Sequence, residues 1–131
     1  MEPLIYQKGL SQLATQNLWV TGAAAVNTAL TVTLPAAAGL FHYIVKIELI
    51  KLYSVVGVAS GSGVIVTSTN LNSAAWTTEQ NASAAGTCAK VVDYAPCVPI
   101  KSAVVNTATT FVAPAQLQTI WRWNVVYYLG P

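Results

Sequence analysis

His42 is the sole histidine of the chain, so general-base chemistry by imidazole would have to be built on it. Set beside Asp93 and a serine it would form a nucleophilic triad, the ring taking the hydroxyl proton and the carboxylate orienting the ring. Serines are abundant, however, and such a pairing is easily invented; the plainer reading is a strand histidine on a face of mixed polarity. The acids are Glu2, Glu48, Glu79 and Asp93. Glycoside hydrolysis needs two carboxyl groups flanking one bond, and these four stand in no recognisable motif. Cys88 and Cys97 would form a disulfide if the chain hairpins between them, whereas a cytoplasmic origin favours two free, packed thiols. Two thiols and one distant histidine fall short of the usual four-ligand zinc pattern. Gly61-Ser62-Gly63 lacks the Gly-Lys-Ser/Thr ending that cradles phosphate and reads as a turn. Asn81-Ala82-Ser83 matches the glycosylation acceptor pattern, an accidental match in a chain whose first residues lack a secretory signal. The sequence thus predicts no catalytic residue, no cofactor and no metal.

Aromatic side chains offer recognition instead. Trp121 and Trp123 could stack on sugars, yet they alternate in step with a core face and are expected to be buried. Trp76 is the one large residue in a polar, small-residue stretch from Asn70 to Thr87 that reads as a long surface loop, which makes it the better glycan contact. Residues 1–22 carry Leu4, Ile5, Tyr6, Leu10, Leu13, Leu18, Trp19 and Val20 in neither helical nor alternating order. Either this is a frayed end, or it is an arm that docks on a neighbour, with Tyr6, Leu10 and Trp19 as the contacts to a protomer or a larger particle.

Composition narrows the class. The chain has 131 residues, enough for one domain with a real core. Only 8% of them are charged, against about 25% in an average soluble domain. The outer surface must therefore be made of Ser, Thr, Asn, Gln and Ala, or be covered by other protein. The net charge is +2, with Lys8, Lys46, Lys51, Lys90, Lys101 and Arg122 scattered along the chain. Nucleic-acid binding calls for clustered Lys and Arg, and no run of like charge marks a membrane-surface patch. The uncharged run from Gly9 to Val45 is interrupted by Asn27, Thr28, Thr31, Thr33 and Pro35, unlike a spanning helix.

The elements that must position these residues are strands. In Phe41–Tyr53 the odd positions Phe41, Tyr43, Val45, Ile47, Leu49 and Tyr53 are apolar, broken only by Lys51, and the even positions include His42, Lys46 and Glu48. This predicts one long strand with an oily odd face and a mixed even face. Ala29–Leu34 alternates with Leu30, Val32 and Leu34 inward until Pro35 stops it. Val64–Thr69, Lys90–Tyr94, Ile100–Val105 and Thr109–Val112 are further strands. Thr119–Leu129 closes the chain with Trp121, Trp123, Val125, Tyr127 and Leu129 inward. Many short strands and no amphipathic helix predict an all-β antiparallel β-sandwich of jelly-roll type over residues 23–131, with an extended N-terminal arm over residues 1–22.

The Leu-Thr-Val-Thr-Leu-Pro-Ala strand, Leu40-Phe41-His42-Tyr43-Ile44, Val66-Thr67-Ser68-Thr69-Asn70-Leu71, Trp76, Val98-Pro99-Ile100-Lys101-Ser102 and Trp121-Arg122-Trp123-Asn124-Val125-Val126-Tyr127-Tyr128, taken together, resemble small structural proteins of tailed-phage virions. The resemblance is one of order and texture and covers roughly residues 28–130. It implies a non-enzymatic sandwich or jelly-roll subunit, often trimeric, assembled in the host cytoplasm onto the virion. The first expectation is a capsid decoration (cement) protein, a homotrimer seated on the major capsid protein. A head-fibre or tail-tip module that binds a receptor or glycan through Trp76 is the alternative, and a small hydrolase built on His42 comes last.

Overall fold

A computed structural model describes residues 17–53, 64–71, 75–78, 88–94 and 97–131. Every regular element among them is a β-strand: β1 (Leu18–Ala23), β2 (Leu30–Leu34), β3 (Phe41–Tyr53), β4 (Val64–Ser68), β5 (Ala75–Thr78), β6 (Cys88–Tyr94), β7 (Ile100–Lys101), β8 (Thr109–Ala113) and β9 (Thr119–Gly130). They form two antiparallel sheets, β1-β9-β3-β6 with β7 also on β3, and β2-β8-β4-β5. The pairing is nested. β1 pairs with β9, β2 with β8, β3 with β6 and β7, and β4 with β5, so the first half of the chain meets the second half in reverse order. Added pairings of β3 with β9 and of β4 with β8 roll this long hairpin into two layers.

The layers close over one core. Leu30, Val32 and Leu34 of β2, Val66 of β4 and Phe111 and Ala113 of β8 face Ile44, Ile47 and Leu49 of β3 and Trp121, Trp123, Val125 and Tyr127 of β9, all buried. The rings of Phe111 and Trp123 meet across the layers at 5.3 Å. Each large apolar side chain buried in this way contributes about 1.5–3 kcal/mol. The inward positions expected for β2 and β9 are those observed, with Leu129 partly buried against the core. Trp121 donates its indole N–H to the Pro114 carbonyl at 2.9 Å, while the buried Trp123 Nε1 finds no partner among the described residues. Burial of both rings removes them as sugar-stacking candidates.

The long strand β3 departs from its expected phase. Its register against β9 shifts between Ile44 and Lys46, leaving Val45 as the extra residue of a β-bulge. Before the bulge the even positions His42 and Ile44 are buried; after it the odd positions Ile47, Leu49, Lys51 and Tyr53 are. Phe41, Tyr43 and Val45, expected on the core face, are therefore not part of it, because one inserted residue exchanges the faces of everything before it.

Three further expectations are corrected. Residues 18–22, assigned to the arm, belong to β1, which lies against the centre of β9, with Trp19 opposite Val126. Gly22 permits this: a Cβ there would sit 2.6 Å from a Val32 methyl carbon. The loop expected from Asn70 to Thr87 contains β5, and the strand expected over Ile100–Val105 ends at Lys101. At Ser102 the ladder gives way to a local clasp, in which Ser102 N–H donates to the His42 carbonyl at 2.8 Å and His42 N–H to Ser102 Oγ at 3.0 Å. The remainder of the arm, residues 1–16, lies outside the described residues.

Asparagines tie the connections together. Asn27, Asn70 and Asn106 each adopt a left-handed backbone (φ 63, 59 and 56°), a conformation asparagine tolerates better than most residues. Asn27 Oδ1 accepts from Gln118 N–H, joining the β1–β2 and β8–β9 connections. Asn106 Oδ1 accepts from Gly39 N–H, joining β2–β3 to β7–β8. Asn70 Nδ2 donates to the carbonyls of Val104 (3.1 Å) and Thr107 (3.2 Å) and to Thr109 Oγ1 (3.2 Å), and Asn70 Oδ1 accepts from Val104 N–H (2.8 Å). Asn70→Ala is expected to cost about 2–4 kcal/mol, combining lost hydrogen bonds with a left-handed alanine. Urea denaturation checks this; a loss under about 0.5 kcal/mol would place the staple outside what holds the fold.

Candidate interaction face

Two buried polar groups sit where catalysis would first be sought. His42 is 1% exposed. Its Nε2 lies 2.9 Å from the Pro35 carbonyl, which only accepts, so Nε2 carries the hydrogen; Nδ1, 2.8 Å from Thr109 Oγ1, then accepts from the threonine hydroxyl. A chain of hydrogen bonds runs from Asn70 through Thr109 and His42 to Pro35, with the imidazole edge-on to Tyr127 at 5.5 Å. Both ring nitrogens are thus engaged inside the sandwich, and the face of mixed polarity expected for this histidine is buried at His42. Its register sets Asp93 elsewhere, opposite Glu48.

Lys51 is also 1% exposed, its ammonium 5.4 Å from the Tyr53 ring centroid and 5.5 Å from that of Trp121. Burial pushes its pKa down from 10.5 to about 8. Neither residue opens to a substrate, so the surface is the place to look for function.

The outer faces of the two sheets are unlike. On the four-stranded sheet Thr31 and Thr33 of β2, Thr67 of β4 and Thr110 and Val112 of β8 form a threonine face suited to water. On the five-stranded sheet the outward rows read Leu52 and Ile120; Ile50, Arg122 and Ala23; Glu48, Asn124 and Thr21; Lys46, Val126 and Trp19; then Tyr43, Tyr128 and Lys101. An antiparallel sheet with one solvated side alternates apolar-in and polar-out. This one sets Trp19 and the half-buried Ile50, Leu52 and Ile120 among the polar Arg122, Glu48, Asn124, Thr21, Lys46 and Lys101, with Val126 already buried within the chain, so its outer side is mixed where its inner side is apolar. Trp19 is 67% exposed at its border, and Tyr43 and Tyr128 stack in parallel at 4.8 Å.

Several polar groups of this face are engaged within the chain. Lys46 pairs with Glu48 at 3.7 Å, and Asn124 Nδ2 donates to Glu48 Oε1 at 2.7 Å. Arg122 donates to the carbonyls of Ala24 (3.1 Å) and Trp121 (3.2 Å). Lys101 lies 3.9 Å over the Phe41 ring, and Tyr43 donates its hydroxyl to the Pro131 carbonyl at 2.6 Å. These internal partners lower the cost of covering the face, because part of its polar surface is already engaged without water.

Compared with models of known families, with curated proteins and with solved structures, the chain matches none. Its function must be argued from the two faces themselves.

Of the residues singled out from sequence, Trp19 falls on the border of the outer face of the five-stranded sheet, while Tyr6 and Leu10 lie outside the described residues. Trp76 is in β5, opposite Val66, and not in a loop. Cys97 is a free thiol but an exposed one, where packing was expected. Sequence reading missed Ile50, Leu52, Ile120 and Tyr43 as half-buried residues of the outer face. The signal was present: in Glu48-Leu49-Ile50-Lys51-Leu52 both alternating faces carry large aliphatics, which a strand with one wet side does not need.

Proposed function

We propose that the chain is a non-catalytic structural subunit of a tailed-phage virion, a capsid decoration protein that binds and stabilises the assembled major-capsid lattice as a homo-oligomer. The observation that carries this is the outer face of the five-stranded sheet, where Trp19 is exposed and Ile50, Leu52 and Ile120 point away from the core, in a chain with 8% charged residues. Such a face favours burial against protein over exposure to water. The nested pairing order supports reading the sandwich as a jelly roll, an architecture found in viral capsid domains. Binding the assembled shell but not its loose subunits stabilises the shell by mass action and needs no reaction centre. The test is purified virions: mass spectrometry is expected to find the chain in them, and cryo-electron microscopy to find its sandwich repeated over the shell. Particles that lack it sink the proposal.

Tyr6 and Leu10 are the proposed shell or protomer contacts of the arm, with Trp19 at its root. Because β1 begins at Leu18, the informative deletion is residues 1–16, which spares the strand. That truncation is expected to abolish shell decoration while leaving the circular dichroism spectrum and Tm unchanged. Truncated protein that occupies heads at wild-type density would remove the arm from this account.

A further inference from the structure

We infer that the outer face of the five-stranded sheet is a self-association surface, covered in solution by a second copy of this chain. The inference takes up the covered-face reading above and commits it to an occupant. Size is the first argument. β3 and β9 run 13 and 12 residues, and at about 3.4 Å per residue and about 4.8 Å between strands the face measures about 600–800 Å². A standard stable complex buries about 800 Å² per partner. One copy therefore offers about the patch that one partner needs.

Chemistry is the second. A face with Trp19 exposed at its border and apolar rows on either side of a polar band is matched by a copy of itself, which isologous contact supplies by symmetry. Aliphatic rows (Ile50, Leu52, Ile120) at one end and the stacked Tyr43 and Tyr128 at the other flank a middle band in which Lys46 and Asn124 both engage Glu48, while Arg122 donates to carbonyls of its own chain. The border is the third. β1 reads Leu-Trp-Val-Thr-Gly-Ala, and among the described residues only β9 pairs with it within its sheet. Edge strands that must stay single are guarded by charge, proline or a bulge. This one carries neither charge nor proline, and it presents Trp19 and Leu18 to solvent.

Sedimentation velocity on the full chain, from low to high micromolar and with no virus particle present, tests the inference. Two variants carry the same change on opposite faces. Ile50→Glu puts a carboxylate among the apolar rows, opposite Arg122 in the register; Thr33→Glu puts one on the threonine face. Wild type and Thr33→Glu are expected to sediment as the same dimer or higher closed oligomer. Ile50→Glu, with an unchanged circular dichroism spectrum, is expected to dissociate roughly 30-fold or more readily, the loss typical of a central interface residue. A wild type that stays monomeric throughout, or a folded Ile50→Glu that associates like wild type, overturns the inference. Should Ile50→Glu fail to fold, the Trp19 emission of wild type decides, taken as the difference from Trp19→Phe. It is expected to be shielded from acrylamide in concentrated protein and accessible on dilution; accessibility independent of concentration overturns the inference. Because the assay contains no shell, its failure removes the homo-oligomer from the virion proposal but leaves the shell-binding subunit standing, and absence from virions leaves self-association standing.

Discussion

His42→Ala is expected to lower the stability of the fold by about 3–5 kcal/mol, the largest single-residue effect foreseen here. The ring fills core volume against Tyr127, and its two nitrogens serve Thr109 and Pro35. Alanine leaves a cavity, a buried threonine hydroxyl without its acceptor and a carbonyl without its donor. It also loosens the clasp at Ser102, which bonds the backbone of the same residue. Guanidinium titration with unchanged m-value is the measurement. Thr109→Val, which keeps the shape and removes the hydroxyl, is expected to lose a smaller part, about 1–3 kcal/mol. If His42→Ala costs less than about 1 kcal/mol, the histidine does not hold the two sheets in the way its geometry requires.

Lys51 gives the second large effect, and its sign is opposite. The folded state depresses its pKa from 10.5 to about 8, so folding opposes the charged amine. Below pH 8 both folded and unfolded chains bind the proton and the full penalty is present. Between pH 8 and 10.5 the unfolded chain binds it and the folded chain does not, so stability rises with pH through that window. The expected rise is about 3 kcal/mol in total. Tyr127 bounds the window from above: burial raises its pKa, so its contribution falls as pH passes its ordinary 10.0. Lys51→Met keeps the length of the side chain without the charge. It is expected to be more stable than wild type at pH 7 by about 1–3 kcal/mol and to lack the rise between pH 8 and 10. Denaturation midpoints of the two proteins across that range check it. Parallel pH profiles would mean that Lys51 does not titrate in the window.

The fold was readable where one face of a strand is wet. In β2 the threonines alternate with Leu30, Val32 and Leu34, and in β9 Arg122 and Asn124 alternate with Trp121, Trp123 and Val125, so the polar residues mark the phase. β3 hid its phase because the Val45 bulge leaves no trace in residue type, and a valine there suits either face. β1 and β5 escaped for a different reason. Leu-Trp-Val-Thr-Gly-Ala and Ala-Trp-Thr-Thr are too short to show a period, and they are strands because β9 and β4 supply ladders for them. The candidate face was legible only in part. Trp19 stood out as an aromatic with no local core, but Tyr43 and Tyr128 become neighbours only once β3 and β9 are in register.

The place of β9 between β1 and β3 has a consequence for how the molecule is made. Residues 119–130 form the middle of their sheet, flanked on both sides by strands translated long before them. Until the ribosome has released this stretch, β1 and β3 have no ladder between them, and the nascent chain must carry their apolar side chains unsheltered. Domain formation therefore waits for residues 119–130, with a rate set by how quickly this stretch finds β1 and β3. A premature stop codon anywhere before Thr119 would yield an aggregating fragment and not a smaller version of the same protein.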